Sequence, residues 1–230
     1  MKIHGLQKMT LLDFPGKVAC TVFLGGCDLR CPFCHNYDLA TGAAPAQMDD
    51  GELLAFLKKR RHLLDGVAIT GGEPCLRPDL PELMRNIRAL GLAVKLDTNG
   101  AHPELLAAIL NEGLADYVAM DIKNSPARYA RTVGLENLDL APIRQSVKLL
   151  MEGQTDYEFR TTVVDELHRA EDFEAIGAWI KGARRYALQM FADRDTVPFE
   201  NLHAPSREDM QNYRAIAGKY VENAFIRGMD

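Results

Sequence analysis

Val18-Ala19-Cys20-Thr21-Val22-Phe23-Leu24-Gly25-Gly26 is an apolar, β-branched run that stops at a glycine pair and passes directly into Cys27-Asp28-Leu29-Arg30-Cys31-Pro32-Phe33-Cys34. A strand therefore feeds a loop that carries three thiols in a CxxxCxxC spacing. Downstream, Gly66 to Thr70 reads as a strand ending at Gly71-Gly72, and Leu92 to Asp97 as a strand before Thr98-Asn99-Gly100. Asp116 to Asp121, Asp156 to Val164 and Arg185 to Phe191 read as three more, with Ala224 to Arg227 as a short terminal strand. Helical patterns cover Asp50 to Leu64, with Asp49 or Asp50 able to cap it, then Pro78 to Leu90, and Pro103 to Asn111 with Gly113 past its end. Leu138 to Glu152, Arg169 to Gly182 and Ser206 to about Val221 complete the alternation. Strands alternating with helices imply a parallel sheet with right-handed crossovers, because Asn99-Gly100 lies between a strand and a helix and joins no hairpin. Six such units fall short of a closed eight-stranded barrel of about 250 residues, so an α/β open partial barrel or a doubly wound sheet, one domain over residues 1–230, is expected.

Three thiolates can hold three irons of a [4Fe–4S] cube and leave the last iron open to a small molecule, whereas an electron-transfer cluster is normally closed by a fourth cysteine. Structural zinc is the competing interpretation. It usually wants a fourth Cys or His in paired spacings, a place for which only His35, directly after Cys34, is at hand. Five cysteines, three of them within eight residues, argue against a disulfide framework and for a reducing compartment. Cys20 in mid-strand and Cys75 read as inert small hydrophobes.

The chain has 230 residues, 47% of them hydrophobic, and a formal net charge of −5, which lacks the basic excess that binding to a phosphate backbone leaves. Nucleic acid is therefore not the expected partner. The N-terminal Met-Lys-Ile-His-Gly-Leu-Gln has no apolar leader core, and no run of roughly eighteen apolar residues suggests a membrane span. A soluble, cytoplasmic protein is expected.

Polar and glycine motifs collect at the carboxyl ends of the strands, where parallel α/β folds gather their active-site loops. These are Cys27 to Cys34, Gly71-Gly72-Glu73-Pro74, Asp97-Thr98-Asn99-Gly100, Asp121-Ile122-Lys123, Arg160 and Gln189. Each has a plainer explanation: a tight turn for the glycines, caps for Asp97 and Asp121, a surface Lys123, a structural ion pair for Arg160.

Taken together, CxxxCxFC at Cys27 to Cys34 and GGEP at Gly71 to Pro74 resemble the radical S-adenosylmethionine superfamily over most of the chain. Leu12-Asp13-Phe14-Pro15-Gly16-Lys17, Phe23-Leu24-Gly25-Gly26-Cys27 and Cys34-His35-Asn36 look more narrowly like activating enzymes of glycyl-radical enzymes, above all those of anaerobic ribonucleoside-triphosphate reductase. The resemblance implies a partial (β/α)6 barrel with parallel strands, in which Cys27, Cys31 and Cys34 hold one [4Fe–4S] cluster and S-adenosylmethionine chelates its fourth iron. By the same resemblance Gly71, Gly72 and Glu73 receive the methionine ammonium, Phe33 lies near the adenine, and Lys123 and Arg160 balance the carboxylate. Asp97, Thr98 and Asp121, with Ile122 between Asp121 and Lys123, fall at positions around the ribose or a monovalent cation. Gln189 stands where relatives place a cofactor-contacting histidine, and Asp13 is the candidate contact to the partner's glycine loop. No side chain is expected to act as a general base. The implied reaction is one-electron cleavage of S-adenosylmethionine to a 5′-deoxyadenosyl radical that takes a glycine hydrogen from the partner, with flavodoxin or ferredoxin as electron donor. Residues 35–70 contain no cysteine, so no insertion for further clusters precedes GGEP. The alternatives are a radical enzyme acting on a small molecule or peptide, and a zinc-binding interaction module.

Overall fold

Gly66–Gly71 and Tyr117–Asp121 are buried along most of their length, as strands must be when helices cover one face and a filled barrel the other. The computed structural model describes residues 1–229; Asp230, the last residue of the expected domain, lies outside the described residues. The chain opens with β1 (Lys2–Ile3), β2 (Gly5–Thr10), β3 (Ala19–Leu24), α1 (Tyr37–Thr41), β4 (Met48–Asp49), α2 (Asp50–Arg60) and β5 (Gly66–Gly71). A 3-10 turn at Pro74–Leu76 precedes α3 (Leu80–Ala89), β6 (Ala93–Thr98), α4 (Pro103–Asn111), β7 (Tyr117–Asp121) and α5 (Tyr129–Thr132). The last elements are α6 (Ala141–Glu152), β8 (Asp156–Val163), α7 (Ala170–Trp179), β9 (Arg185–Met190), α8 (Arg207–Ala217) and β10 (Asn223–Arg227).

Eight strands form one sheet in the order β10-β9-β8-β7-β6-β5-β3-β2, and every pair is parallel except β2 with β3. The outer strands β10 and β2 do not pair with each other, so the curved sheet is a barrel open along one seam. The antiparallel β2 corrects the expectation of an all-parallel sheet, and β1 with β4 adds a small antiparallel ladder. Gly5-Leu6-Gln7-Lys8-Met9-Thr10 has little of the β-branched signature because half of it lies exposed on an edge, and residues 11–18 make no tight hairpin turn. The expected helices form, Pro103–Asn111 with the expected bounds and the others with shorter ends. Asp49 caps α2 through a reciprocal capping box with Glu52, Ser206 caps α8, and Pro81 and Pro142 sit in the first turns of α3 and α6.

Alternation along the strands sends apolar residues outward and polar ones inward. Val94 and Leu96 of β6 and Tyr157 and Phe159 of β8 pack in the main core, while Lys95, Asp97, Glu158 and Arg160 line the inside of the barrel. Phe14, from the connection between β2 and β3, closes the lower end by packing with Ala19, Tyr117 and Ala119. Its ring lies 6.4 Å from that of Tyr117, and a side chain at Gly66 would come within 2.9 Å of it. This accounts for Phe14 in the Leu12-to-Lys17 motif without any ligand.

Phe159 is fully buried and its ring lies 5.2 Å from Tyr157. Phe159→Ala should lower the free energy of unfolding by about 3–5 kcal/mol, measured by urea denaturation, through lost transfer energy and the cavity left behind.

Candidate active site

The loop that leaves β3 is pinned at several points. Gly26 N and Cys27 N donate to Leu39 O and Ala40 O in α1 at 2.8 and 3.1 Å, and Arg30 N donates to Val133 O at 2.9 Å. The Arg30 guanidinium folds back onto the carbonyls of Cys27 (2.6 Å) and Leu29 (2.7 Å). Gly134, at φ +71°, lies so near that a Cβ there would sit 2.3 Å from Arg30 O, so the turn after α5 has to be glycine.

Cys27, Cys31 and Cys34 are free thiols on the wall of one cavity. Burial pushes Cys27 up to about 12, Cys31 up to about 11 and Cys34 upward, while the charge of Lys123 pulls each of them down. Such thiols stay protonated until a metal replaces the proton, and softness makes three sulfurs a fitting donor set for iron–sulfur chemistry. Among the described residues no three His, Cys, Asp or Glu side chains converge on a single point as a mononuclear metal site requires.

The end of β5 meets this loop through glycine. Gly72 N donates to Leu24 O at 2.9 Å and Glu73 N to Gly26 O at 2.7 Å. Gly71 has φ +128° and its Cβ would lie 2.1 Å from Leu24 O; a Cβ on Gly72 would lie 2.0 Å from Gly26 O. Gly71 and Gly72 are thus required by the backbone of Leu24 and Gly26, while Gly26 is itself held at φ +92°. Gly71 and Gly72 line the cavity, but Glu73 does not. The Glu73 carboxylate is fully buried and accepts from Cys75 N (2.8 Å), the Thr98 hydroxyl (2.8 Å) and Asn99 N (2.6 Å). Burial pushes its carboxyl up to about 7 against the pull of those donors. Glu73 therefore ties Thr98 and Asn99, at the end of β6, to the glycine loop, a bracing role that differs from the expected contact with an ammonium group.

Opposite the thiols runs a chain of alternating charges. Lys95 pairs with Asp97, Asp97 with Arg160 Nη1 at 3.2 Å, Arg160 Nε with Asp121 at 2.9 Å, and Asp121 with Lys123 at 2.8 Å. Burial works against ionising Asp97 and Asp121, yet Arg160 with its flanking lysines holds both carboxyls low, Asp121 at about 2. Lys123 and Arg160 are held above their ordinary range by the same carboxylates, despite burial. Lys123 and Arg160 face Asp97 and Asp121 at the cavity, and Lys95 backs Asp97 from outside it. The Ile122 carbonyl accepts from the Thr161 hydroxyl at 2.6 Å, and Ile122 is fully buried away from the cavity. The oxygens expected to meet a monovalent cation are engaged with protein donors.

Phe33, Asp97, Thr98, Asp121, Lys123, Arg160 and Gln189 all line the cavity. Asp13 lies apart from it, in a groove on the open seam that shares Asp97, Arg160 and Gln189 with the cavity, and it accepts from the Thr21 hydroxyl at 2.5 Å. His35 hydrogen-bonds Ala192 O at 2.6 Å and stacks on Phe191, as a loop residue would. Three contributors were not among the expected site residues. Asn36 donates to Gly71 O at 3.0 Å, Asn99 reaches the cysteine loop, and Lys95 anchors the charge chain. Asn36 and Asn99 sit inside motifs already visible in the sequence; Lys95 could have been found as a cation at an inward position of a buried strand.

The sequence profile of the Radical SAM superfamily matches residues 21–176. A Methanocaldococcus jannaschii protein provisionally named as a glycyl-radical enzyme activating enzyme is 31% identical over 98% of this chain and 95% of its own length. A pyruvate formate-lyase-activating enzyme of Clostridium pasteurianum is 34% identical over 54% of this chain and 52% of its own. A crystal structure of a domain of pyruvate-formate lyase-activating enzyme from Bacteroides vulgatus superimposes with a TM-score of 0.56 at 17% identity, covering 71% of this chain and 99% of that one.

Two limbs are expected in stability against pH, measured by urea unfolding from about pH 2 to about pH 8. Asp97 and Asp121 titrate lower folded than unfolded, so their contribution is complete above about pH 4 and is lost toward pH 2, on the order of 2 kcal/mol for Asp121. Glu73 titrates higher folded than unfolded, so stability falls as pH rises from about 4.5 to about 7, on the order of 3 kcal/mol. Glu73→Gln should abolish the second limb and leave the first.

Proposed function

The chain belongs to the Radical SAM superfamily and, within it, to the glycyl-radical enzyme activating enzymes, and from that premise we propose that it activates an anaerobic ribonucleoside-triphosphate reductase. Membership implies a [4Fe–4S] cluster and S-adenosylmethionine, and leaves no place for a zinc-binding module. The observation that carries the proposal is the placement of three free thiols and the cations Lys123 and Arg160, held by Asp97 and Asp121, on the walls of one cavity. In this reading Cys27, Cys31 and Cys34 are the cluster ligands.

When bound and reduced, the cluster supplies one electron to the sulfonium, so that the carbon–sulfur bond breaks into methionine and a 5′-deoxyadenosyl radical able to take a hydrogen atom from a glycine. The residues of the chain bind and aim. Lys123 spends one N–H on Asp121 and has donors left for the methionine carboxylate. Arg160 has Nε and Nη1 committed to Asp121 and Asp97, which fixes the plane of its guanidinium and leaves Nη2 toward the same group. Gly71 and Gly72 bring backbone close to the ammonium, with Glu73 bracing them from behind. Phe33, 4% exposed, offers an apolar face to the adenine. Asp97, Thr98 and Asp121 would meet the ribose; a monovalent cation there would compete with Lys123 and Arg160 for the carboxylates and with Thr161 for the Ile122 carbonyl.

The partner's glycine loop would enter by the open seam, past Asp13, toward Gln189 and Arg160, which border both spaces. Residues 1–230 act as one domain in this scheme, and flavodoxin or ferredoxin supplies the electron. No helix among the described residues is long and apolar enough to cross a membrane, and five free cysteines fit the reducing cytoplasm.

Anaerobic protein mixed with S-adenosylmethionine, reductant and the reductase should give an electron paramagnetic resonance signal split by one α-hydrogen, as a glycine radical is. Cofactor cleavage with no such signal on the reductase would favour a small-molecule or peptide substrate instead.

A further inference from the structure

Asn99 touches two of the loops that build the site. It is 5% exposed. Its backbone N–H donates to Glu73 Oε2 at 2.6 Å, and its side-chain Oδ1 accepts from Ala101 N at 2.9 Å. The second bond decides which way the amide faces: with Oδ1 turned to its own chain, Nδ2 points at the cysteine loop. There it donates to Asp28 Oδ1 at 2.8 Å and approaches the Cys27 sulfur at 3.9 Å, two acceptors for an amide with two hydrogens. Leu29 N reaches the same sulfur at 3.4 Å. Asp28 Oδ1 lies 3.8 Å from it, and His102 Nε2, 3.1 Å from Asp28 Oδ2, is out of line for a hydrogen bond.

A carboxylate that close to a ligating sulfur opposes the arrival of an electron, whereas an N–H donor to the sulfur favours it. We propose that Asn99 is a positioning residue of the metal centre, holding Asp28 with one N–H and the Cys27 sulfur with the other, and so raising the reduction potential of a cluster bound there. This rests on the reading of Cys27 as a cluster ligand. Asn99→Asp keeps the shape but exchanges both donors for a second carboxylate, while Asp28→Asn removes the nearby charge.

The test is an anaerobic redox titration of the reconstituted proteins without S-adenosylmethionine, the reduced cluster read by electron paramagnetic resonance and iron and sulfide measured on each. At the potential that half-reduces the wild type, Asn99→Asp should show roughly fivefold less reduced cluster and Asp28→Asn should be almost fully reduced. Equal reduction of all three at equal iron content, or shifts of the two variants in the same direction, would overturn the inference. If Asn99→Asp retains no iron, Asn99→Ala takes its place: a smaller reduced fraction supports the role and an unchanged one overturns it. A wild-type protein without iron and sulfide would overturn the premise itself, and is thereby distinguished from cluster-bearing proteins with a common midpoint.

Discussion

The close approach of Gly71 and Gly72 to the backbone of Leu24 and Gly26 governs the site. Because neither Gly71 nor Gly72 has a Cβ, the end of β5 can lie against Leu24 and Gly26 at hydrogen-bond distance, with Gly72 directly behind Cys27. Any side chain there would drive the two strand ends apart, and the cysteine loop would lose the wall it is built against. The other contacts secure this junction: Asn36 ties the far end of the cysteine loop to Gly71, Glu73 ties Thr98 and Asn99 to the glycine loop, and the turn at Gly134 closes on Arg30. The mouth of the barrel is thus stitched by backbone and amide bonds between loops that are remote in sequence.

Electrostatics then divides the cavity. On one side burial disfavours the thiolates until a metal binds them; on the other, five charged side chains in alternation keep each other ionised inside the barrel. Removing one member of such a buried chain leaves an unpaired charge, so the chain fixes its own geometry. Two cations, Lys123 and Arg160, in one cavity with three thiols suit a ligand that carries a carboxylate near a metal, the pattern expected of S-adenosylmethionine on an open iron.

Much of this was legible in the sequence. Strands before helices, with chemistry at the strand ends, came from periodicity and glycine placement, and six separate segments do reach one rim. Two kinds of feature were not legible. Gly5–Thr10 pairs antiparallel at an edge, where half of the strand is exposed and periodicity carries little information. The bracing role of Glu73 and the reach of Asn99 depend on which acceptors the folded loops present, information that lies in tertiary contacts. Lys95, by contrast, was within reach of the sequence: it stands two residues before Asp97 in a buried strand, so alternation puts both on one inward face.

The central claim is that Cys27, Cys31 and Cys34, and neither Cys20 nor Cys75, carry an iron–sulfur cube. Iron and acid-labile sulfide, measured per chain after anaerobic reconstitution of five single Cys→Ala variants, test it most directly. Cys20→Ala and Cys75→Ala should retain a full [4Fe–4S] complement while each of the other three loses it; retention in Cys31→Ala, or loss in Cys75→Ala with the fold intact, would contradict the account.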